Sequence, residues 1–138
     1  MDCQSAEGLA LLDHVIADAA ADLRARRRDD GHWVFPLEAD ATISAEYILL
    51  LHFLGWREPE TEAALADYIR GLQGRHGGWP LFHEGELNVS ASVKAYYALK
   101  LVGDPVEAPH MIRARDAILA AGGAARSNVF TLYTLALF

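Results

Sequence analysis

The sequence predicts an all-α fold of three helical hairpins in which outer and inner helices alternate. The main observation is a repeat: Gly31-His32-Trp33 and Gly77-Gly78-Trp79 share a Gly-x-Trp motif, and the weaker pair Gly122-Gly123 follows at a similar spacing without the tryptophan. Each motif follows a segment with an apolar stripe and precedes a segment that is apolar on nearly all sides. A unit of this length with two such segments is a helical hairpin.

The three outer helices are predicted from amphipathic periodicity. The first carries Leu9, Leu12, Val15, Ile16, Ala19 and Leu23 at spacings of three and four. The second covers Pro59 to Gln73, with Leu65, Tyr68, Ile69 and Leu72 expected inward and Glu60, Glu62, Asp67 and Arg70 expected outward. The third covers His110 to Ala121, with Gly122 as a C-terminal cap.

The inner helices are predicted from segments with almost no polar face. They cover Ala41 to Leu54, Val89 to Val102 and Ser127 to Phe138. Alternation of this kind fits a closed ring or a solenoid of hairpins, because each inner helix is buried only against its neighbours. The last helix runs to Phe138 without a cap or a breaker, so we expect one domain, 1–138, whose C-terminal end is truncated.

Composition excludes several classes of function. The chain has 138 residues, 52% of them hydrophobic, and a formal net charge of −7. This size suits one compact core, and the charge argues against nucleic acid as a partner. The basic cluster Arg24, Arg26, Arg27 and Arg28 could touch an anionic lipid surface, but its place at a helix end favours a structural role. The single cysteine, Cys3, allows no internal disulfide.

No apolar run approaches the roughly 20 residues that a spanning helix needs. The N-terminus carries Asp2 and Glu7 rather than a basic segment, so it does not resemble a secretory signal. We expect a cytoplasmic chain.

The segment from Tyr68 to Trp79, in which an outer helix ends in Gln73 and a Gly-x-Trp turn follows, resembles the QW repeat of triterpene cyclases. Nearly the whole chain is similar to bacterial squalene-hopene cyclases in the same order. The segments that carry this similarity are Asp30 to Phe35, Leu37 to Thr42, Ala45 to Gly55, Ser90 to Tyr96, Ala108 to Met111 and Gly122 to Thr131.

The resemblance implies two α/α barrels (toroids), of which this chain supplies the start of the smaller, N-terminal one. Such an enzyme protonates squalene and closes rings to hopene or hopanol, and aromatic faces stabilise the carbocations. The resemblance implies no metal or organic cofactor, peripheral association with the inner membrane through regions outside this sequence, and a homodimer as one candidate assembly. The family's acid lies in a DxDD motif that this sequence lacks, so we assign no catalytic residue here.

Five residues form the predicted structural repeat: Gly31, Trp33, Gln73, Gly77 and Trp79. The tryptophans are expected to wedge between adjacent outer helices, and the Gln73 amide is expected to bond backbone groups at the neighbouring helix end. Arg27 stands where the first repeat would carry glutamine, so the glutamine contact is absent there. Leu132 stands where the family commonly has arginine after Thr131.

Glu46 and Lys94 are the candidate substrate-cavity residues. They occupy matching points of two inner helices. If Glu46 is buried, it must be paired, and burial then raises a carboxyl pKa unless a cation compensates. By resemblance, the segment around Glu46 lies near the polar end of the cavity, where it would order water as the cascade terminates. A purely structural pair explains the two residues equally well.

The sequence also bears on three other functions. The six histidines lack metal-ligand spacing and are expected on the surface or at caps. A freestanding helical-repeat module that binds a lipid or a protein is the main alternative to an enzyme, although such a module should end in a polar, capped helix. A protein prenyltransferase subunit would need zinc ligands that the sequence does not show.

Overall fold

A computed structural model describes residues 3–35 and 38–138, with side chains from residue 8 onward, so the side chain of Cys3 lies outside the description. Within these residues there are six α-helices, one short 3₁₀ helix and no strand, which confirms the predicted all-α class. The helices are α1 Cys3–Ala25, α2 Ala41–Leu54, α3 Pro59–Gly71, α4 Val89–Leu101, α5 Pro109–Ala120 and α6 Val129–Ala136, with the 3₁₀ helix at Ala124–Arg126.

The chain divides into two compact units, Met1–Glu38 and Ala39–Phe138. The first unit contains α1, whose apolar stripe is solvent-exposed, with Leu9 63% and Ile16 57% accessible. Helix α1 ends at Ala25, so the basic cluster does fall at a helix end, as predicted. Cations are favourable there because the helix dipole leaves that end negative.

Helix α4 is the centre of the second unit, because it packs against α2, α3, α5, α6 and the 3₁₀ helix. Alanines dominate its contacts: Ala91, Ala95 and Ala98 are at most 1% exposed. Small side chains let helix axes approach closely. The rest of the core is Ala41, Ala45, Ile48, Ala66, Ile69, Trp79, Leu99, Met111 and Ala114.

Inner and outer helices of the second unit begin in different ways. Each inner helix starts with an Asp or Asn whose side chain accepts a hydrogen bond from the first turn, at Asp40, Asn88 and Asn128. The outer helices α3 and α5 instead begin with Pro59 and Pro109. Both devices suit a helix start, since the side chain satisfies an open N–H and proline has none to satisfy.

Burial follows the predicted alternation of inner and outer helices from α2 to α5. Helices α2 and α4 bury six and seven residues, whereas α3 and α5 bury three each. The third hairpin differs, because Thr131 is the one buried residue of α6. Among the described helices α6 packs on α4, so most of its apolar surface stays exposed.

The expectation for one acidic side chain of α3 is wrong. Glu62 was expected outward, but the residue is 2% exposed, because three groups surround its carboxylate. The sequence left open whether Glu46 is buried, and in the structure its side chain is 48% exposed. On the same face of α2, the side chains of Ile43, Tyr47 and Leu50 are also exposed.

Candidate functional site

The second Gly-x-Trp motif forms a tight turn after α3. The Gly74 N–H donates to the Gly78 carbonyl at 2.8 Å, and the Gly77 N–H donates to the Gly74 carbonyl at 2.9 Å. Gly77 has φ +89°, and a Cβ there would lie 2.8 Å from the Arg113 carbonyl oxygen of α5. Glycine is therefore required at this position both for its backbone conformation and for the close approach of α5.

Trp79 is fully buried at the base of this turn. Its indole Nε1–H donates to the Ile69 carbonyl of α3 at 2.7 Å. Its backbone N–H donates to the Ser92 hydroxyl of α4 at 2.8 Å. The tryptophan thus links the end of the outer helix to the following inner helix.

Gln73 connects the same turn to α5. Its side-chain Nε2 donates to the carbonyls of Gly77 at 2.7 Å and His110 at 2.9 Å. Its Oε1 accepts a hydrogen bond from the Arg113 guanidinium at 2.8 Å. All polar groups of the amide except one lone pair are used: one bond closes the turn itself, and two bonds join the turn to α5. This geometry is suited to holding successive hairpins together.

The first motif has the same geometry within the first unit. The Trp33 Nε1–H donates to the Leu23 carbonyl at 2.7 Å, and Gly31 has φ +93°. Arg27 takes the place of glutamine: its Nε donates to the Gly31 carbonyl at 2.9 Å, and its guanidinium carbon lies 5.4 Å from the centroid of the Trp33 ring. Sequence comparison of the two repeats showed the missing glutamine but not this replacement by a cation–π contact.

Glu46 and Lys94, the candidate cavity residues, are brought together by the packing of α2 on α4. The Lys94 Nζ donates to Glu46 Oε1 at 2.5 Å. The Lys94 side chain is 6% exposed and that of Glu46 is 48% exposed. The pair therefore has a buried positive end and an accessible negative end.

The face of α2 around Glu46 is apolar and exposed. It carries Ile43, Tyr47, Leu50 and Phe53, which are 63%, 41%, 49% and 51% accessible. Phe138 packs edge-to-face on Phe53 at 6.4 Å and on Tyr97 at 5.4 Å between ring centroids. Aromatic rings from three segments thus meet beside an exposed apolar surface that contains one carboxylate.

A second ionic cluster, which sequence analysis missed, surrounds Glu62. Its carboxylate accepts hydrogen bonds from the Arg57 guanidinium at 2.8 and 2.9 Å and from the Glu58 backbone N–H at 3.0 Å. His52 Nε2 lies 3.2 Å from Oε2. The Arg57 hydrogen bond outweighs burial and lowers the pKa of Glu62 to about 2. This carboxylate is thereby fixed as an anion and joins the end of α2 to the start of α3.

A third cluster joins α3, the α4–α5 loop and α5. Arg70 donates from Nε and Nη2 to the two oxygens of Asp104, at 3.0 and 2.5 Å, and His110 Nε2 lies 2.6 Å from the same carboxylate. The Arg70 hydrogen bond holds the pKa of Asp104 below its usual value. Arg70 was expected to face solvent, but it is a bidentate partner of Asp104 in the loop between α4 and α5.

In residues 3–35 and 38–138 no three His, Cys, Asp or Glu side chains lie close enough to hold a metal ion. The same residues contain no helix that is both long and apolar enough to cross a membrane.

Comparison with known proteins identifies the family. A family model described as the squalene-hopene cyclase N-terminal domain matches residues 16–138. The chain belongs to the squalene-hopene cyclase family. Squalene-hopene cyclases of Zymomonas mobilis and Bradyrhizobium diazoefficiens are 58% and 56% identical to it over 92% and 93% of its length. A probable squalene-hopene cyclase of Sinorhizobium fredii is 55% identical over 94%.

The chain spans about a fifth of the length of these relatives, since each match covers 20% of the relative. Membership in the cyclase family confirms the resemblance drawn from the repeat segments. The roles of Glu46, Lys94 and the repeat residues in a cyclase remain predictions, for which the contacts above supply the geometry.

Proposed function

We propose that this chain forms part of the wall of a cyclase that converts squalene into a pentacyclic triterpene. The observation that carries the proposal is the 55–58% identity to squalene-hopene cyclases over more than nine-tenths of the chain. In this proposal residues 1–138 supply the N-terminal part of the α/α barrel region. A cytoplasmic location, peripheral membrane association and a homodimer belong to the same proposal through the family resemblance.

The inner helices support a role as a cavity wall. A polyene substrate is apolar, and its carbocations are stabilised by aromatic faces. The exposed side of α2 offers both, through Leu50, Tyr47 and Phe53. Glu46 adds a hydrogen-bond acceptor to this surface, and its proposed role is to order water where the cascade ends.

We further propose that these 138 residues do not cyclise squalene by themselves. Protonation of an alkene needs a strong acid in a site that excludes water. The sequence has no DxDD motif, and the described carboxylates that are most buried, Glu62 and Asp104, have lowered pKa values because arginines hold them as anions. Neither is a proton donor at neutral pH.

The test compares the 138-residue chain with the protein expressed from its complete gene. Each is purified, supplied with squalene in detergent and analysed by gas chromatography and mass spectrometry, with the Zymomonas mobilis relative as a positive control. We expect pentacyclic product from the complete gene product and none from the 138 residues. Pentacyclic product from the 138 residues, above the level of a boiled control, would show that a catalytic acid lies within this chain. Inactivity of the complete protein, beside an active relative, would refute the proposed function.

A further inference from the structure

Asp30 and Gly31 form the one Asp-Gly pair in the sequence, and they lie in the first Gly-x-Trp turn. The Asp30 side chain is 66% exposed. Gly31 carries no side chain, so no Cβ shields its backbone nitrogen. An aspartate carboxyl group that is followed by an unshielded peptide nitrogen can close on that nitrogen to form a five-membered succinimide ring.

The Asp30 carboxyl is folded back over the peptide that follows it. Its Oδ1 accepts a long hydrogen bond, 3.4 Å, from the backbone N–H of His32. A contact of this kind, from an aspartate side chain to the backbone two residues later, is an Asx turn. The contact holds the carboxyl group beside the Gly31 peptide unit, which is the position from which the ring closes.

The His32 imidazole lies against the same carboxyl oxygen. Its Nδ1 contacts Asp30 Oδ1, and both side chains are more than half exposed. Ring closure expels one carboxyl oxygen as water, and this oxygen leaves more readily once it carries a proton. A protonated imidazole beside Oδ1 can donate that proton, which is general acid catalysis.

Aspartates elsewhere in the chain lack the unshielded nitrogen, because each is followed by a residue with a side chain. Asp29 is the closest comparison, since it is exposed in the same turn but is followed by Asp30. The Gly31 N–H donates to the Arg28 carbonyl at 2.9 Å, so this hydrogen bond must open before the ring closes. Backbone hydrogen bonds in exposed turns open at low free-energy cost.

We propose that Asp30-Gly31 is a site of spontaneous isomerisation to isoaspartate. The Gly31 nitrogen bonds to Asp30 Cγ, the Cγ–Oδ1 bond breaks, and the oxygen leaves as water with the proton of the Gly31 N–H and one from His32. Water then adds at the main-chain carbonyl carbon of Asp30, which returns both protons, and the main chain continues through Cγ. No atoms are gained or lost overall, and no oxidant is needed. The proposal does not depend on the proposed function.

Isomerisation adds one carbon atom to the main chain inside a closed turn. This turn is held by the Gly31 N–H bond to Arg28 and by a bond from the Arg28 N–H to the His32 carbonyl, each 2.9 Å long. The longer main chain changes the size of both hydrogen-bonded rings. We therefore expect the modified turn to hold Trp33 less firmly against the Leu23 carbonyl.

The test ages the protein expressed from its complete gene for several weeks at neutral pH and physiological temperature. Isoaspartate is located by proteolysis and mass spectrometry with electron-transfer fragmentation, and an isoaspartyl methyltransferase labels it independently. In the wild-type protein, isoaspartate at residue 30 should exceed that at residue 29 at least about tenfold, because the Asp30 side chain shields the nitrogen after Asp29.

Three variants separate the contributions to this reaction. Asp30→Glu should remove the modification, since its ring would have six members. Asp30→Asn should convert faster than wild type, because an amide carbon is attacked more readily than a carboxylate carbon. His32→Gln should slow the reaction roughly threefold or more, through loss of the proton donor.

Equal amounts of isoaspartate at residues 30 and 29 would overturn the proposal, and this comparison needs no variant. An asparagine at residue 30 that stays intact on ageing would also overturn it, because the turn would then forbid ring closure. An unchanged rate in His32→Gln would overturn the proton donation assigned to the imidazole.

Discussion

Replacing Glu62 by Gln should destabilise the chain by about 2 kcal/mol at neutral pH. The pKa of this carboxyl is lowered from 4.5 to about 2, chiefly by the Arg57 hydrogen bond. At ~1.4 kcal/mol per pKa unit, the full difference corresponds to about 3 kcal/mol. Because the Arg57 side chain is 55% exposed, water screens part of the attraction, so we expect about 2 kcal/mol.

The sign of the pH dependence follows from the lowered pKa. The unfolded chain binds a proton at this carboxyl near pH 4.5, whereas the folded chain does so near pH 2. The stabilisation is therefore complete above about pH 5 and is lost as the pH falls towards 2. The glutamine variant lacks this titration, so the difference between the two proteins should shrink over that interval.

The assay is urea unfolding followed by far-ultraviolet circular dichroism at pH 7, 4 and 3. Glu60→Gln is the matched control, since Glu60 is an exposed glutamate in the same first turn of α3, and its effect should stay within about 0.5 kcal/mol. A Glu62→Gln chain as stable as wild type at pH 7, or a difference that does not change with pH, would refute the role assigned to the cluster.

Two further predictions concern the Gly-x-Trp turns. Gly77→Ala should lower the free energy of unfolding by about 3 kcal/mol, because it places a Cβ at φ +89° and 2.8 Å from a main-chain oxygen. The control Gly71→Ala, in open helical surroundings, should be neutral or stabilising by up to ~1 kcal/mol. Equal effects of the two substitutions in urea unfolding would contradict this prediction. Trp79→Phe, which removes an indole hydrogen bond from a fully buried site, should cost about 2 kcal/mol. Trp33→Phe should cost less because Trp33 is 46% exposed, and the reverse order in thermal melts would refute the comparison.

The helices could be predicted because their limits are set by nearby residues. The predicted span Ala41 to Leu54 agrees with α2 at both ends, since Asp40 caps its start and Gly55 adopts a left-handed conformation after it. The pairing of Glu46 with Lys94 could also be predicted from the sequence, because the repeat places both residues at matching points of neighbouring inner helices.

Side-chain exposure was harder to predict. An amphipathic pattern predicts that charged residues face solvent, and it therefore predicts Glu62 on the outer face. The pattern contains no information on the contacts with Arg57 and His52 that compensate the burial of this carboxylate. One feature could have indicated it: Pro59 fixes the start of α3, which places Glu62 one turn later, beside the loop that carries Arg57. The exposure of Glu46 depends on what covers α2, which local sequence does not specify.

The two tryptophans show that, in this motif, the hydrogen bond of the indole N–H does not depend on how deeply the ring is buried. Each indole N–H donates to a carbonyl ten residues earlier in the chain, so this hydrogen bond does not depend on contact with a neighbouring hairpin. Trp33 and Trp79 therefore make the same hydrogen bond although one is 46% exposed and the other fully buried. A hairpin with this turn can be added at the edge of an array or placed within it without leaving an unsatisfied donor, which makes the motif suited to duplication.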